Sequence, residues 1–310
     1  MKAVVANPSA KGWVEIGEVP EPKPDSHDAV VRVTAFSVNR GEVNRARTGV
    51  AGAQVGWDVA GVVEQAAADG SGPKVGTRVV GMSLRQQGWA EYVALPTVAL
   101  APIPDSVSDA QASTLPVAGL TALYSLERCE RLAGERVLVT GATGGVGYYA
   151  CQLATIMGAE PVALLRRPDH KALIEATGAR VIVSEDGSAL ANEPKFRSVI
   201  DGVGGHLFGG LVEALAASGR LITYGISGGL EASIQVRHML LSGDGRIEGF
   251  HLYRESEKES ASKGLTRLQR LMVQGRLDGG VTVQKDWSEI PAVAEAIIER
   301  SYFGKAVLTL

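Results

Sequence analysis

VLVTGATGGVG, residues 137–147, decides the fold. VLVT has the apolar, β-branched character of a buried strand, and the residues after the glycines read as a helix. Val146, Tyr149, Ala150, Leu153, Ala154 and Met157 recur on one helical face, and Gly158 stands where a C-terminal cap belongs. Strand, glycine-rich turn and helix in that order are the context in which a glycine fingerprint holds a dinucleotide. Gly141 permits the tight turn, Gly144 lets the backbone approach a pyrophosphate, and Gly147 lets the helix pack close to the strand. Ala142, Thr143, Gly145 and Val146 complete the loop, and the phosphates sit at the positive end of the helix. The run departs from GxGxxG in carrying Ala142 at the first glycine position. About twenty residues on, where an NAD site places an acid for the adenosine ribose, this chain has Leu164, Leu165, Arg166 and Arg167. Guanidinium forks suit a 2′-phosphate, so the expected cofactor is NADPH, with His170 or Lys171 assisting.

Outward from this motif the same rhythm continues. VALL and RVIV read as strands around a helix over 169–177 ended by Gly178. SVID, a helix over 206–217 and RLITYG follow. Two such units make a dinucleotide-type α/β fold with a doubly wound parallel sheet. Before residue 104 the pattern is different: KAVVA, AVVRVTAF, DVAGVVE, TRVVGM and AEYVAL are short strands between Gly, Pro, Asp and Ser clusters, a compact irregular β-domain. The last thirty residues hold a strand, a short amphipathic helix and the closing strand KAVLTL, whose alternation suits the β-domain as well as the parallel sheet. The expected organisation is a discontinuous first domain, 1–115 with 278–310, and a dinucleotide domain over 116–277.

Composition narrows the function. A net charge of -3 over 310 residues, with no long run of like charges, argues against nucleic acid or an anionic membrane as partner. MKAVVANPSA lacks the apolar core of a signal peptide and no apolar stretch is long enough to cross a bilayer, so a cytoplasmic location is expected. Cys129 and Cys151 are the two cysteines, and five scattered histidines show no HxxxH or HxxE spacing, so no metal site is expected.

Taken together these residues resemble the medium-chain dehydrogenase/reductase superfamily and, within it, the zinc-independent quinone oxidoreductase branch. AFSVNRGEVNRARTG resembles the segment carrying NPxD and an arginine before a glycine, and VGWDVAGVV resembles the PGxExxGxV element. PVAGLTALYSL, DGVGG, GRLITYG and the terminal GKAVLTL complete the likeness over nearly the whole chain. The resemblance implies a GroES-like β-barrel domain and a Rossmann domain, a homodimer formed through the edge of the Rossmann sheet, and a small-molecule quinone or enone substrate. It implies that Asn39 points at nicotinamide and substrate as a catalytic residue, with Arg47 near the active site. Thr121, Asp201, Gly202, Val203, Tyr224, Gly225, Ile226, Ser227, Phe250 and Lys305 are implied as cofactor contacts. Where zinc-dependent relatives hold the metal, this chain has Ser37, Val38 and Asn39.

Several positions depart from the branch. Arg40 replaces a proline, Glu42 an aspartate and Val55 a proline, and six residues, 50–55, stand between Gly49 and Gly56 in place of a longer loop. No tyrosine lies between Asn39 and Trp57, although enoyl-thioester reductase relatives draw a proton donor from that loop. Tyr148 and Tyr149 stand where small residues are usual. The expected reaction is hydride transfer to a quinone or α,β-unsaturated carbonyl, with water as proton source. The alternatives are an enoyl-thioester reductase and a non-catalytic NADPH-binding sensor.

Overall fold

The computed structural model describes all 310 residues, which divide into two compact units, Met1–Leu120 with Tyr253–Leu310, and Thr121–Leu252. In the first unit six strands follow one another across a sheet: Val281–Asp286, Lys305–Thr309, Asp28–Val38, Asp58–Gln65, Arg78–Met82 and Leu100–Pro102. Tyr92–Pro96 pairs additionally with Asp28–Val38, while Lys2–Ala6 and Val14–Glu18 form a separate antiparallel pair. Alternating residues of these strands, among them Val31, Val33, Val59, Val79 and Val93, fill the core, where Phe36 stacks on Trp89 at 5.3 Å between ring centroids.

The closing strand adds to this sheet antiparallel to Asp28–Val38, with Ala306 opposite Val38 and Thr309 opposite Ala35. That register carries Lys305 alongside residue 39. The chain re-enters the first unit at Tyr253, well before residue 278. Helix Ala261–Val273 accounts for this: it buries Ala261, Leu265 and Leu268 and packs on the Leu115–Gly119 turn and strand Leu100–Pro102, and Gln269 donates to the Pro102 carbonyl at 3.1 Å. The shortened 50–55 segment is a tight turn hydrogen-bonded to the first strand, Gly52 N–H to the Ala6 carbonyl at 2.8 Å and Ala6 N–H to the Ala53 carbonyl at 2.8 Å.

The second unit is a six-stranded parallel sheet in the order Arg180–Val183, Glu160–Leu165, Arg136–Thr140, Phe196–Asp201, Leu215–Thr223, Arg246–Gly249. In chain order this is 3-2-1-4-5-6, the doubly wound arrangement whose ligands sit at the carboxyl ends of the strands where the order reverses. The motif helix runs over Gly145–Ile156 and buries Tyr149, Ala150, Leu153 and Ala154. The helix expected over 206–217 is shorter, a single turn at Gly205–Leu207 followed by Phe208–Glu213. Leu215 is already a strand residue paired with Phe196, because its buried side chain belongs to the sheet core.

Candidate active site

At the carboxyl edge of the parallel sheet, strand Arg136–Thr140 turns at Gly141, whose φ of +62° is left-handed and favours glycine. A side chain at Gly147 would place its Cβ 2.4 Å from the Gly141 carbonyl oxygen, so only glycine lets the helix sit this close to the turn. Ala142 is buried beneath the loop. Gly144 is the N-cap of helix Gly145–Ile156, and no side chain caps that first turn. Its N–H groups, with the helix dipole behind them, fit the needs of a phosphate. Tyr149 is a core residue and Tyr148 is half-buried.

Arg166 and Arg167 are both exposed directly after strand Glu160–Leu165, the neighbour of the motif strand, in a register that sets Leu164 opposite Thr140. Arg167 approaches Asp169 at 3.4 Å and Lys171 approaches Glu175 at 3.6 Å. Both are surface pairs held loosely enough to exchange for a phosphate.

The loops after the next two strands interlock. Ser227 donates its hydroxyl to the Gly202 carbonyl at 3.0 Å, and Gly228 N–H donates to the Val203 carbonyl at 2.7 Å. A Cβ at Gly225 would meet the Gly202 carbonyl oxygen at 2.5 Å. The Tyr224 hydroxyl lies against Gly202, and burial followed by the Asp201 charge pushes its phenol well above the usual range. Ile226 is exposed, Phe250 is buried under the Arg128 guanidinium, 5.2 Å from its ring centroid, and Thr121 is buried on helix Leu120–Glu127. Asp201 is fully buried, with its carboxylate turned into the protein. Cys129 and Cys151 are buried thiols, pushed by desolvation to about 11 and about 12, which removes them as nucleophiles at neutral pH.

The first unit holds a second polar centre. Asn39 is the N-cap of helix Arg40–Thr48, and its backbone N–H donates to Glu42 Oε2 at 2.7 Å. Lys305 Nζ donates to Asn39 Oδ1 at 2.5 Å, to the Val38 carbonyl at 3.2 Å and to Asp58 Oδ2 at 3.4 Å. Asn39 Nδ2 in turn donates to Asp58 Oδ2 at 2.7 Å and to Glu42 Oε2 at 3.1 Å. Asp58 also accepts from the Ser37 hydroxyl and from Val117 N–H at 2.9 Å, and Glu42 Oε1 accepts from Trp57 N–H. Asp58, Glu42 and Lys305 are each almost wholly buried.

Two carboxyls thus share one ammonium. Burial first, and then the Asp58 charge, push Glu42 up to about 8, against the pull of the Trp57 and Asn39 N–H groups and of Lys305. Burial draws the Lys305 ammonium below the usual lysine range, against the pull of Asp58 and Glu42. Both Asn39 amide hydrogens face acid oxygens, of Asp58 and Glu42, and its carbonyl faces the ammonium, which fixes which way the amide is turned. Arg47 is exposed and lies over the Trp13 ring at 5.0 Å. Nothing in the sequence motifs assigns Glu42 or Asp58 to the site. The available signal was an acid flanked by apolar residues in GWDVAGVV, where Asp58 has no water-facing position to occupy.

Comparison with known proteins gives these features a family. Residues 25–105 match the alcohol dehydrogenase GroES-like domain, and residues 145–268 match the zinc-binding dehydrogenase domain. Quinone oxidoreductase-like protein 2 of Bos taurus is 29% identical over 266 residues, 82% of this chain and 76% of that one. Acryloyl-coenzyme A reductase of Metallosphaera sedula is 25% identical over 343 residues, covering 100% of both chains. A mycobacterial protein solved in complex with NADPH has the same fold, with a TM-score of 0.87 at 22% identity over 100% of both chains. The chain belongs to the medium-chain dehydrogenase/reductase superfamily, in its quinone oxidoreductase branch. It is an oxidoreductase of the kind that works with a nicotinamide cofactor, built from a GroES-like unit and a Rossmann unit. No helix is long and apolar enough to cross a membrane.

Proposed function

We propose that this chain reduces quinones or α,β-unsaturated carbonyls with NADPH, without zinc, as a cytoplasmic homodimer. The observation that carries the cofactor choice is the pair Arg166 and Arg167, exposed beside the glycine turn at the end of the neighbouring strand, where a ribose-binding acid is missing. Guanidinium groups bind a 2′-phosphate by charge-assisted, bidentate hydrogen bonds and gain much less from a neutral 2′-hydroxyl, so NADPH is favoured over NADH. When bound, the cofactor supplies the hydride.

The chain's own residues bind and orient. The uncapped helix start at Gly145 and the Gly141–Gly147 turn would hold the pyrophosphate. Arg166, Arg167 and Lys171 would hold the 2′-phosphate, and Val203, Tyr224–Ser227 and Phe250, with Thr121, would line the nicotinamide half. Asn39 and Arg47 are proposed to serve the substrate. Because both Asn39 amide hydrogens are taken up by Glu42 and Asp58, Asn39 can meet a donor but cannot stabilise an oxyanion, and a developing oxyanion is left to backbone N–H groups and water. A quinone or enone suits this, because a delocalised acceptor needs less help from an acid, and water supplies the proton.

The donor set of the first unit favours chemistry without zinc. That unit contains no cysteine and a single histidine, His27, and Ser37, Val38 and Asn39 stand at the family's metal positions. Residues Asp25, His27 and Asp28 lie near one another, but Arg85 already pairs with both acids, at 2.6 and 2.9 Å. The dimer is supported by the unpaired outer edge of strand Arg246–Gly249 beside helix Val236–Leu241, which buries none of its residues and exposes Val236, Leu240 and Leu241.

The full-length likeness to an acryloyl-coenzyme A reductase favours a second reading, reduction of an enoyl thioester. Against it stands the lack of a tyrosine between residues 39 and 57. Turnover of NADPH with 1,4-benzoquinone, 9,10-phenanthrenequinone, a simple enone and crotonyl-CoA, each with and without chelator, separates these readings. Chelator-resistant turnover of the quinones or the enone is expected. Turnover confined to crotonyl-CoA selects the second reading, and tight NADPH binding with no turnover selects a sensor.

A further inference from the structure

The three central strands of the parallel sheet each end on a polar residue at one level. Asp201 is opposite Thr223 in the sheet register, and the pairing of Ile200 with Val139 carries Asp201 level with Thr140. Beyond each of these residues begins one of the loops assigned above to the dinucleotide: the Gly141 turn after Thr140, the Gly202–Gly205 turn after Asp201, and the Tyr224–Ser227 loop after Thr223.

All three are tied to one carboxylate. Asp201 Oδ1 accepts from the Thr140 hydroxyl at 2.6 Å and from Val203 N–H at 3.0 Å. Gly204 N–H lies 3.3 Å from Oδ1 and 3.1 Å from Oδ2. Oδ2 accepts from the Thr223 hydroxyl at 3.1 Å. Thr140 Oγ1 also accepts from Gly202 N–H at 3.1 Å, which closes the ring of bonds. No lysine or arginine is among these partners. A carboxylate wholly removed from water is costly, and it is kept here by short, directed donors from three different strands or the turns that follow them.

We propose that Asp201 is a positioning residue for the dinucleotide: it touches no part of the ligand and instead fixes the relative places of the three loops that do. This rests on the cofactor site given under the proposed function. Loops held in their bound arrangement lose less conformational freedom when a ligand arrives, so the anchor acts on affinity. Its effect is blind to the 2′-phosphate, which Arg166 and Arg167 are assigned to read.

The test is the dissociation constant of NADPH and of NADH, by nicotinamide fluorescence or calorimetry, with steady-state kinetics on the same preparations. Wild type is compared with Asp201→Asn, Thr140→Val and Thr223→Val. Asp201→Asn retains an acceptor but cannot accept from the hydroxyls and both backbone N–H groups at once. It is expected to weaken both cofactors by roughly tenfold or more, the size of a lost hydrogen bond to a charged group, with the loss in Kd and KM rather than in kcat. The ratio of NADPH to NADH affinity stays at the wild-type value. Thr223→Val removes a single donor, and Thr140→Val removes a donor together with the acceptor of Gly202 N–H; each keeps the shape of the side chain and is expected to show a smaller loss of the same kind, the larger of the two at Thr140. These two decide the matter if Asp201→Asn does not fold. Wild-type affinity for both cofactors in all the folded variants, with only thermal stability reduced, overturns the proposal. A changed NADPH to NADH ratio in Asp201→Asn overturns it too, since the carboxylate would then be reading the phosphate side. Failure of the wild-type protein to bind either cofactor refutes the cofactor site itself, a different result from a wild type that binds and an Asp201→Asn variant that binds equally well.

Discussion

Asp201 in the second unit and the Asp58–Glu42 pair in the first are carboxylates removed from water, held by different kinds of partner. Asp201 stands alone and is satisfied by hydroxyl and backbone N–H donors. Asp58 and Glu42 are bridged by the Asn39 amide and share a single ammonium, Lys305. The difference follows from counting charges. One buried carboxylate can be stabilised by neutral dipoles alone, whereas two in one cluster repel, so a cation is drawn in and one of the acids is pushed toward its neutral form.

The contrast predicts its own failures. The largest effect is expected from Lys305→Met, which leaves two acids and an amide buried without their cation. Chemical denaturation should show a loss of roughly 3 to 5 kcal/mol, the usual cost of breaking a buried pair. A loss under about 1 kcal/mol would mean that Lys305 is not what holds the cluster.

Next in size is the double substitution Arg166→Ala with Arg167→Ala. It removes charges that face solvent rather than the protein, so stability should be unaffected while KM for NADPH rises by about tenfold and KM for NADH changes little. An equal rise for both cofactors would assign the two arginines to the shared part of the dinucleotide.

The pH dependence of stability sharpens the account of Glu42. Its folded carboxyl keeps its proton up to about 8, while the unfolded group releases it near 4.5, so between those values unfolding releases a proton and stability falls as pH rises. Thermal melts from pH 5 to 10 should therefore show wild type losing ground against Glu42→Gln up to about pH 8, and the gap should level off above that. Parallel curves for the two proteins would mean that Glu42 does not hold a proton in the folded state over this range.

The smallest effect is expected from Arg47→Ala. Its guanidinium lies over Trp13 on an exposed helix face, a contact worth at most about 1 kcal/mol, so melting should shift by a few degrees at most. A large fall in kcat/KM with stability kept would give Arg47 a direct part in substrate handling.

Much of the second unit was legible in the sequence because its site is made of backbone. Gly141 and Gly147 are demanded by a positive φ and by a close approach, and the strand and helix around them advertise themselves through periodicity. The helix over 206–217 was read too long because Leu215–Ala217 are as compatible with a helix face as with the start of a strand, and only pairing with Phe196 decides. The first unit's polar cluster was much less legible. Asn39, Asp58 and Lys305 are far apart in the chain and meet through strand register, which puts Lys305 beside residue 39. Sequence likeness pointed to Asn39 and Lys305 as cofactor or substrate residues, yet it carried no information on how each would spend its hydrogen bonds. The re-entry of the chain at Tyr253 was hidden for a similar reason: helix Ala261–Val273 is amphipathic, and amphipathicity says that a face is buried but not against which sheet.

Whether the chain is an NADPH-dependent reductase is decided by the ratio of kcat/KM for NADPH to that for NADH, measured on the wild-type protein with 1,4-benzoquinone as acceptor. Turnover is expected with both, at a ratio of at least about tenfold in favour of NADPH, the discrimination one well-placed charged hydrogen bond provides. A ratio near one, or a preference for NADH, would contradict the role given to Arg166 and Arg167 and with it the choice of cofactor.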